Sequence, residues 1–407
     1  MTAKKKQHTN PFMKVKTLSS EITSESLMTE ALAFHQQGQY EKAQEIYLKA
    51  LEVDPRNADA LHLMGVIAHQ RRNYLVAVEF IEMAIELKPK EALFYLSCGN
   101  SLKELNQIEK AIKNYEKAIF IKPDFSDAHH NHALALSQLK KFKDAIRSFN
   151  QTIKYKPEFA EAYYNKGVVL QELNQFEAAI NSYKMAITYQ PNYAEAYSNI
   201  GIISEEEGRI EDALEKYIKA IDLNQKYSIA YYNRANVYQK LKKYDASLQD
   251  YQKAIDLKPS LYTAQLNLGA LEMEQGQWQK ALKPTVEAIN IQPDSSAGYL
   301  QRGIIQAALG KPSEALADFT QCIKKNPEEI NALYNRGNIY FQQENYALAN
   351  QDFETSVQID PNFGKGFYAM GLSYYKSNLS DKACYALQQA KKLKYPGAKE
   401  AVANLCP

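Results

Sequence analysis

Seven amide side chains stand 34 residues apart along this chain: Asn131, Asn165, Asn199, Asn233, Asn267, Gln301 and Asn335. A carboxamide offers a donor and an acceptor together, which matches the peptide group of an extended polypeptide whatever its side chains. The series is therefore expected to hold a peptide main chain. Tyr164, Tyr232 and Tyr334, each one residue before an amide, either stack on ligand side chains or pack within the fold. Neighbouring helices sit roughly 8 to 10 Å apart and an extended chain advances about 3.3 to 3.6 Å per residue, so one amide serves about every third ligand residue. Seven residues beyond each amide position run Glu104, Glu172, Glu206 and Glu274, with Lys240 among them and Lys376 near the end. Such a row either favours a basic or hydroxyl-rich segment or is simply solvated. Simple duplication does not account for the amides, because an exposed position of the same period reads Arg147, Asn181, Glu215, Gln249, Lys283, Ala317 and Gln351.

Other chemistry is sparse. His129, His130 and His132 form H-H-x-H, and an i, i+3 pair can bind zinc. Two of the three fall on packing positions and no acid or cysteine is placed to complete a set, so no metal site is expected. The chain has no Gly-rich phosphate loop, nucleophile motif or paired-carboxylate site. The expectation is a protein that is not an enzyme and needs no cofactor.

The elements that position the amides follow from Ala160 to Tyr193, AEAYYNKGVVLQELNQFEAAINSYKMAITYQPNY. Numbered 1 to 34, it carries large groups at 4, 11 and 24 (Tyr163, Leu170, Tyr183), small ones at 8, 20 and 27 (Gly167, Ala179, Ala186), and Pro191 at 32. Both sets have helical spacing, so the unit is two amphipathic helices joined by a turn near Leu173, Asn174 and Gln175. Gly or Ala where the helices cross lets the backbones approach while Tyr and Leu fill the grooves. Proline at 32 stops the second helix, and the Asn or Asp that often follows can cap the next. Frames start at Ser24, Ala58, Ala92, Ser126, Ala160, Ala194, Ser228, Tyr262, Ser296, Ile330 and Gly364, eleven units covering residues 24 to 397 without insertion.

This pattern resembles the tetratricopeptide repeat (TPR) family. The resemblance implies an all-α fold, an α-solenoid forming a right-handed superhelix of about eleven helix-turn-helix repeats, with the amides lining its concave groove. An asparagine series at position 6 is similar to the superhelical repeat domain of O-linked N-acetylglucosamine transferases, whose inner surface holds substrate chains. Those enzymes carry a large catalytic region after the array, whereas barely ten residues follow it here, so transferase activity is not implied. The chaperone-binding carboxylate clamp of other family members needs Lys at position 5, which never occurs here. The function expected is a scaffold or adaptor for an extended polypeptide. The alternative is the substrate-recognition component of an enzyme complex, such as a glycosyltransferase acting in trans.

Regularity varies along the array. Repeats two to five keep Gly65, Gly99 and Gly167 at position 8 and Pro89, Pro123, Pro157 and Pro191 at 32. Repeat one is degenerate in its first helix. Repeat eight carries Gln265 at 4, Glu272 at 11, Thr285 at 24 and Pro284 within its second helix, where lost hydrogen bonding and a clash cost about 3 kcal/mol or force a kink. Ala398 to Pro407 is expected to form a short helix capping the last repeat, with Ala398, Val402 and Leu405 on one stripe.

Composition sets the remaining bounds. The 407 residues are 45% apolar and 24% charged, enough for a long core, and the net charge is +2. Lys4, Lys5, Lys6, Lys14 and Lys16 precede the first acid, Glu21; these five lysines supply +5, the remainder of the chain is close to −3, and residues 1 to 23 read as a flexible basic tail. An array that is not basic argues against nucleic acid as a partner. No run of about 18 apolar residues occurs, so no membrane partner is expected either. Cys98, Cys322, Cys384 and Cys406 have no C-x-x-C spacing and read as free thiols of a reducing compartment. The resulting expectation is a cytoplasmic monomer with a protein or peptide partner.

Overall fold

The computed structural model describes residues 23–406, and the basic tail read from the sequence lies outside them except for Thr23. All regular structure among the described residues is helical. The first helix of every pair begins at the residue that opens its 34-residue frame, from Ser24–Gln36 and Ala58–Gln70 to Gly364–Lys376. A second helix follows in each, as Phe176–Tyr189 follows Ala160–Glu172. The described residues form two compact units, one ending at Ile203 and the other starting at Ser204, the boundary falling in the helix Ala194–Glu206. In each unit, helix pairs pack on their neighbours in sequence order.

A left-handed residue at position 15 makes the reversal within each pair. Seven of the eleven are Gly or Asn, which tolerate positive φ, and the others are Arg72, Lys140, Lys242 and Glu344 with φ between 56 and 61°. In repeat five, Asn174 N donates to Gln171 O at 2.8 Å and Gln175 N to Leu170 O at 2.9 Å, the bond pair of a Schellman motif. The turn thus satisfies carbonyls that the ending helix leaves free.

Packing within a pair rests on positions 8 and 24. A Cβ on Gly167 would lie 2.6 Å from Tyr183 Cε1, and one on Gly99 2.5 Å from Tyr115 Cε1. In the second unit Gly303 and Gly337 stand in the same relation to Phe319 and Phe353, at 2.6 and 2.8 Å. Because the glycine leaves a notch, the opposing ring is fully enclosed: Tyr115, Tyr183 and Phe319 are all 0% exposed.

Two sequence expectations change. The Asn or Asp after the proline does not cap the next helix. Position 34 is the N-cap, and there Phe159 and Phe363 provide no side-chain bond, while Asn57 does, accepting from Ala60 N at 3.0 Å. The aromatic groups at 34 instead pack on position 5 of their own repeat, Tyr193 on Tyr164 at 4.8 Å and Phe159 on His130 at 4.8 Å. Second, Cys384 and Cys406 are not free thiols: they form a disulfide with Cα atoms 5.4 Å apart, while Cys98 and Cys322 are free and buried. Pro284 lies within helix Trp278–Ile291, as its place in the repeat implies. The last helix, Ala398–Leu405, turns back onto Ser380–Lys392 and brings Cys406 to Cys384, with Ala398 and Ala401 buried under it.

Candidate functional site

Position 6 of a first helix abuts positions 5 and 9 of the preceding first helix, and this contact decides what each amide does. In the first unit, Asn131 Nδ2 donates to Asn100 Oδ1 at 2.9 Å, an oxygen that also accepts from the Tyr115 hydroxyl at 3.0 Å. Asn199 Nδ2 lies 3.3 Å from the Tyr164 hydroxyl and 3.2 Å from that of Tyr183. Asn165 is half-buried and makes no side-chain hydrogen bond among the described residues. His130 and Leu134 stand at positions 5 and 9 of the preceding repeat, and Asn165 bonds neither.

The second unit repeats the division. Asn267 Nδ2 donates to the Tyr232 hydroxyl at 3.3 Å and to Asn236 Oδ1 at 3.2 Å. Gln301 is buried, its Nε2 donating to Leu266 O at 3.0 Å and its Oε1 without a partner. Asn335 faces Leu300 and Ile304 by the same register and, half-buried, makes no bond among the described residues. Asn233 is 9% exposed with its Nδ2 unsatisfied. Four of the seven amides are therefore used within the fold. Asn131, Asn199, Asn267 and Gln301 join successive repeats, because a first helix lies close enough to its predecessor for the carboxamide to span the gap. Asn165, Asn233 and Asn335 retain unused donor capacity.

The flanking tyrosines are engaged in the same way. Tyr164 stacks on Tyr193 with the planes 22° apart, Tyr232 lies 6.1 Å from Tyr251, and Tyr334 meets Phe363 edge-on at 5.6 Å with Lys365 Nζ 4.4 Å from its ring. All three are half-buried. Position-24 hydroxyls cross between the helices to position 12: Tyr183 reaches Gln171 Oε1 at 2.9 Å, Tyr217 Glu205 Oε2 at 3.0 Å, and Tyr251 Gln239 Oε1 at 3.0 Å. Burial pushes the Tyr251 phenol up to about 12, so it stays a neutral donor. The signal, Tyr at 24 with Gln or Glu at 12, was present in the sequence and passed over. Some of the charged row is also used internally, since Lys240 Nζ bonds Glu205 Oε1 at 2.6 Å and Glu274 accepts from Tyr244 and Gln239 at 3.0 and 3.2 Å.

The histidines disperse rather than converge. His129 Nε2 bonds Pro123 O at 2.9 Å, His132 Nδ1 bonds Ser148 Oγ at 2.9 Å, and His130 lies against Phe159 with Nε2 3.7 Å from Glu161. Burial lowers the His132 pKa to about 4 and that of His130 below its ordinary value. Position 7, where His132 stands, faces position 23 throughout. In the second unit that register carries buried ion pairs which sequence reading missed: Arg234 with Asp250 at 2.7 and 2.9 Å, Arg302 with Asp318 at 2.9 and 2.6 Å, and Arg336 with Asp352 at 2.9 and 2.7 Å. Arg and Asp recurring 16 residues apart was the available sign.

A family model described as tetratricopeptide repeat matches residues 160–193, 228–261 and 330–363, and a second of the same description matches 297–328. A model described as TPR repeat matches 31–70, 99–140, 133–174 and 206–242. Together these matches span more than half of the chain. No curated protein matches it. Among solved structures, yeast Tom70 is similar at 15% identity over 94% of each chain with a TM-score of 0.41. YrrB, described as a TPR protein with an unusual peptide-binding site, is similar at 24% identity over 45% of this chain and 95% of its own, with a TM-score of 0.38. PilF of Pseudomonas aeruginosa is similar at 20% identity over 52% of this chain and 97% of its own, with a TM-score of 0.47.

Proposed function

The chain belongs to the tetratricopeptide repeat family, whose members generally act as protein-interaction scaffolds, and we propose that it holds an extended segment of a partner polypeptide against its first helices. The observation that carries this reading is the unused hydrogen-bonding capacity of Asn165 and Asn335, half-buried side chains in a series whose other members are mostly bonded. A half-buried amide without a partner gains by accepting and donating to a peptide group, which offers both functions. The bonded amides keep neighbouring first helices in register, so the free ones present a fixed geometry to the ligand. The substrate-recognition reading, with a glycosyltransferase acting in trans, uses the same contacts and differs in requiring one recurrent catalytic partner.

A photo-crosslinking amino acid tests the face. Placed at Val168, beside Asn165 on the first helix, it is expected to capture a polypeptide, whereas at Asn181, exposed on the second helix, it captures little. Capture from Asn181 and none from Val168 would move the site to the other face.

A further inference from the structure

Repeat eight differs from the repeats on either side at three positions that fill the space between successive second helices. Repeats seven and nine place Tyr, Arg and Asp at positions 4, 7 and 23: Tyr231, Arg234 and Asp250, then Tyr299, Arg302 and Asp318. The Arg234 guanidinium lies 5.6 Å from the Tyr231 ring centre and that of Arg302 5.7 Å from the Tyr299 ring centre, while the aspartate of each repeat holds the guanidinium through two hydrogen bonds. Ring, cation and carboxylate therefore form one stack. Repeat eight has Gln265, Leu268 and Pro284 at these positions. None of them reaches as far as the group it replaces, and a cleft of about 390 Å³ opens there. Its floor is Ile255, Gln265, Leu268 and Pro284, all buried, and its exposed rim carries Asp256, Glu287 and Lys283.

We propose that this cleft binds an aromatic side chain with a cationic neighbour, presented by a partner polypeptide. The chain itself displays the occupant, since the adjoining repeats fill the corresponding place with a tyrosine ring under a guanidinium. A mostly apolar floor beneath a polar rim suits a ring that buries its face and keeps its edge near water. The volume lies at the small end of the roughly 300 to 1,000 Å³ usual for ligand sites, enough for one ring and part of its neighbour. Two carboxylates against one ammonium on the rim favour a cation beside that ring. None of the seven amides lines the cleft, so this site stands or falls independently of the peptide-holding face.

The test uses the full chain and three probes, N-acetyl-Tyr-Arg-amide, N-acetyl-Leu-Arg-amide and N-acetyl-Tyr-Glu-amide, followed by saturation-transfer NMR. The Tyr-Arg probe should bind with transfer concentrated on its ring protons, and the other two should bind several-fold more weakly. Gln265→Tyr/Leu268→Arg/Pro284→Asp rebuilds the stack of the adjoining repeats, so it should raise the Tm and weaken the Tyr-Arg probe by about tenfold or more. Should that variant fold poorly, Gln265→Tyr alone applies the same criterion. Equal binding of the Leu-Arg or Tyr-Glu probe, no transfer to the Tyr-Arg probe at millimolar concentration, or undiminished binding by the folded refilled variant overturns the proposal.

Discussion

Asn199 Nδ2 lies 3.3 Å from the hydroxyl of Tyr164, 35 residues earlier, and Asn267 stands in the same relation to Tyr232 at 3.3 Å. These two amides are rivets between repeats. Asn199→Ala and Asn267→Ala should each lower the unfolding free energy by about 0.5 to 1.5 kcal/mol, the net value of such a bond. Asn165→Ala removes no bond within the chain and should stay within about 0.5 kcal/mol of the parent. Urea midpoints compare the three, and equal losses at Asn165 and Asn199 would contradict the division.

Gly167 tests the crossing. With Tyr183 Cε1 2.6 Å from where a Cβ would stand, Gly167→Ala should destabilise by overpacking, on the order of 1 to 3 kcal/mol. Adding Tyr183→Leu should restore part of the loss, because the ring edge is the atom in the way. A Tm of Gly167→Ala equal to that of the parent would show that the helices separate without cost.

The ion pair Arg302–Asp318 has the carboxylate 7% exposed and the guanidinium 27% exposed. Asp318→Ala strands a half-buried cation and should cost roughly 3 to 5 kcal/mol, less whatever solvent screening the exposed fraction provides. Arg302→Met/Asp318→Leu, which removes both charges, should cost less than Asp318→Ala alone. Chemical denaturation of both variants checks the order, and the reverse order would remove the pair from the packing account.

Acid should loosen the first unit selectively. Burial holds His62 and His132 at about 4 in the fold, against about 6.5 in the unfolded chain. Above pH 6.5 both states are neutral and pH has no effect through these groups. As pH falls from 6.5 towards 4, the unfolded chain takes up protons that the folded chain refuses, so stability drops by up to about 1.4 kcal/mol per group per pH unit. Repeats nine to eleven contain no histidine. Hydrogen exchange corrected for intrinsic pH dependence should show repeats two to four losing protection between pH 7 and 5 relative to repeats nine to eleven; parallel behaviour would contradict the assignment.

Much of the local architecture was legible because it depends on spacing along one chain. Gly167 against Tyr183, the reversal at Asn174 and the opening residue of each first helix all follow from period and residue size. What escaped depends on which faces meet. Arg302 and Asp318 are 16 residues apart, a separation with no meaning until positions 7 and 23 are known to oppose each other. Cys384 and Cys406 pair only because the last helix folds back, which no spacing rule states. The site was half legible: the amide series was visible, but whether an amide is bonded depends on the residue 31 or 35 earlier, Asn100 for Asn131 and Tyr164 for Asn199. Leu300 and Ile304 stand at the corresponding places before Asn335, which makes no bond among the described residues.

The most direct test is the affinity of Asn165→Ala for the polypeptide crosslinked at Val168, measured by calorimetry beside the parent and beside Asn199→Ala. A lost bond of about 0.5 to 1.5 kcal/mol predicts binding roughly two- to tenfold weaker at an unchanged Tm. Asn199→Ala should instead lower the Tm. Binding by Asn165→Ala as tight as that of the parent would show that the free amide does not hold the ligand.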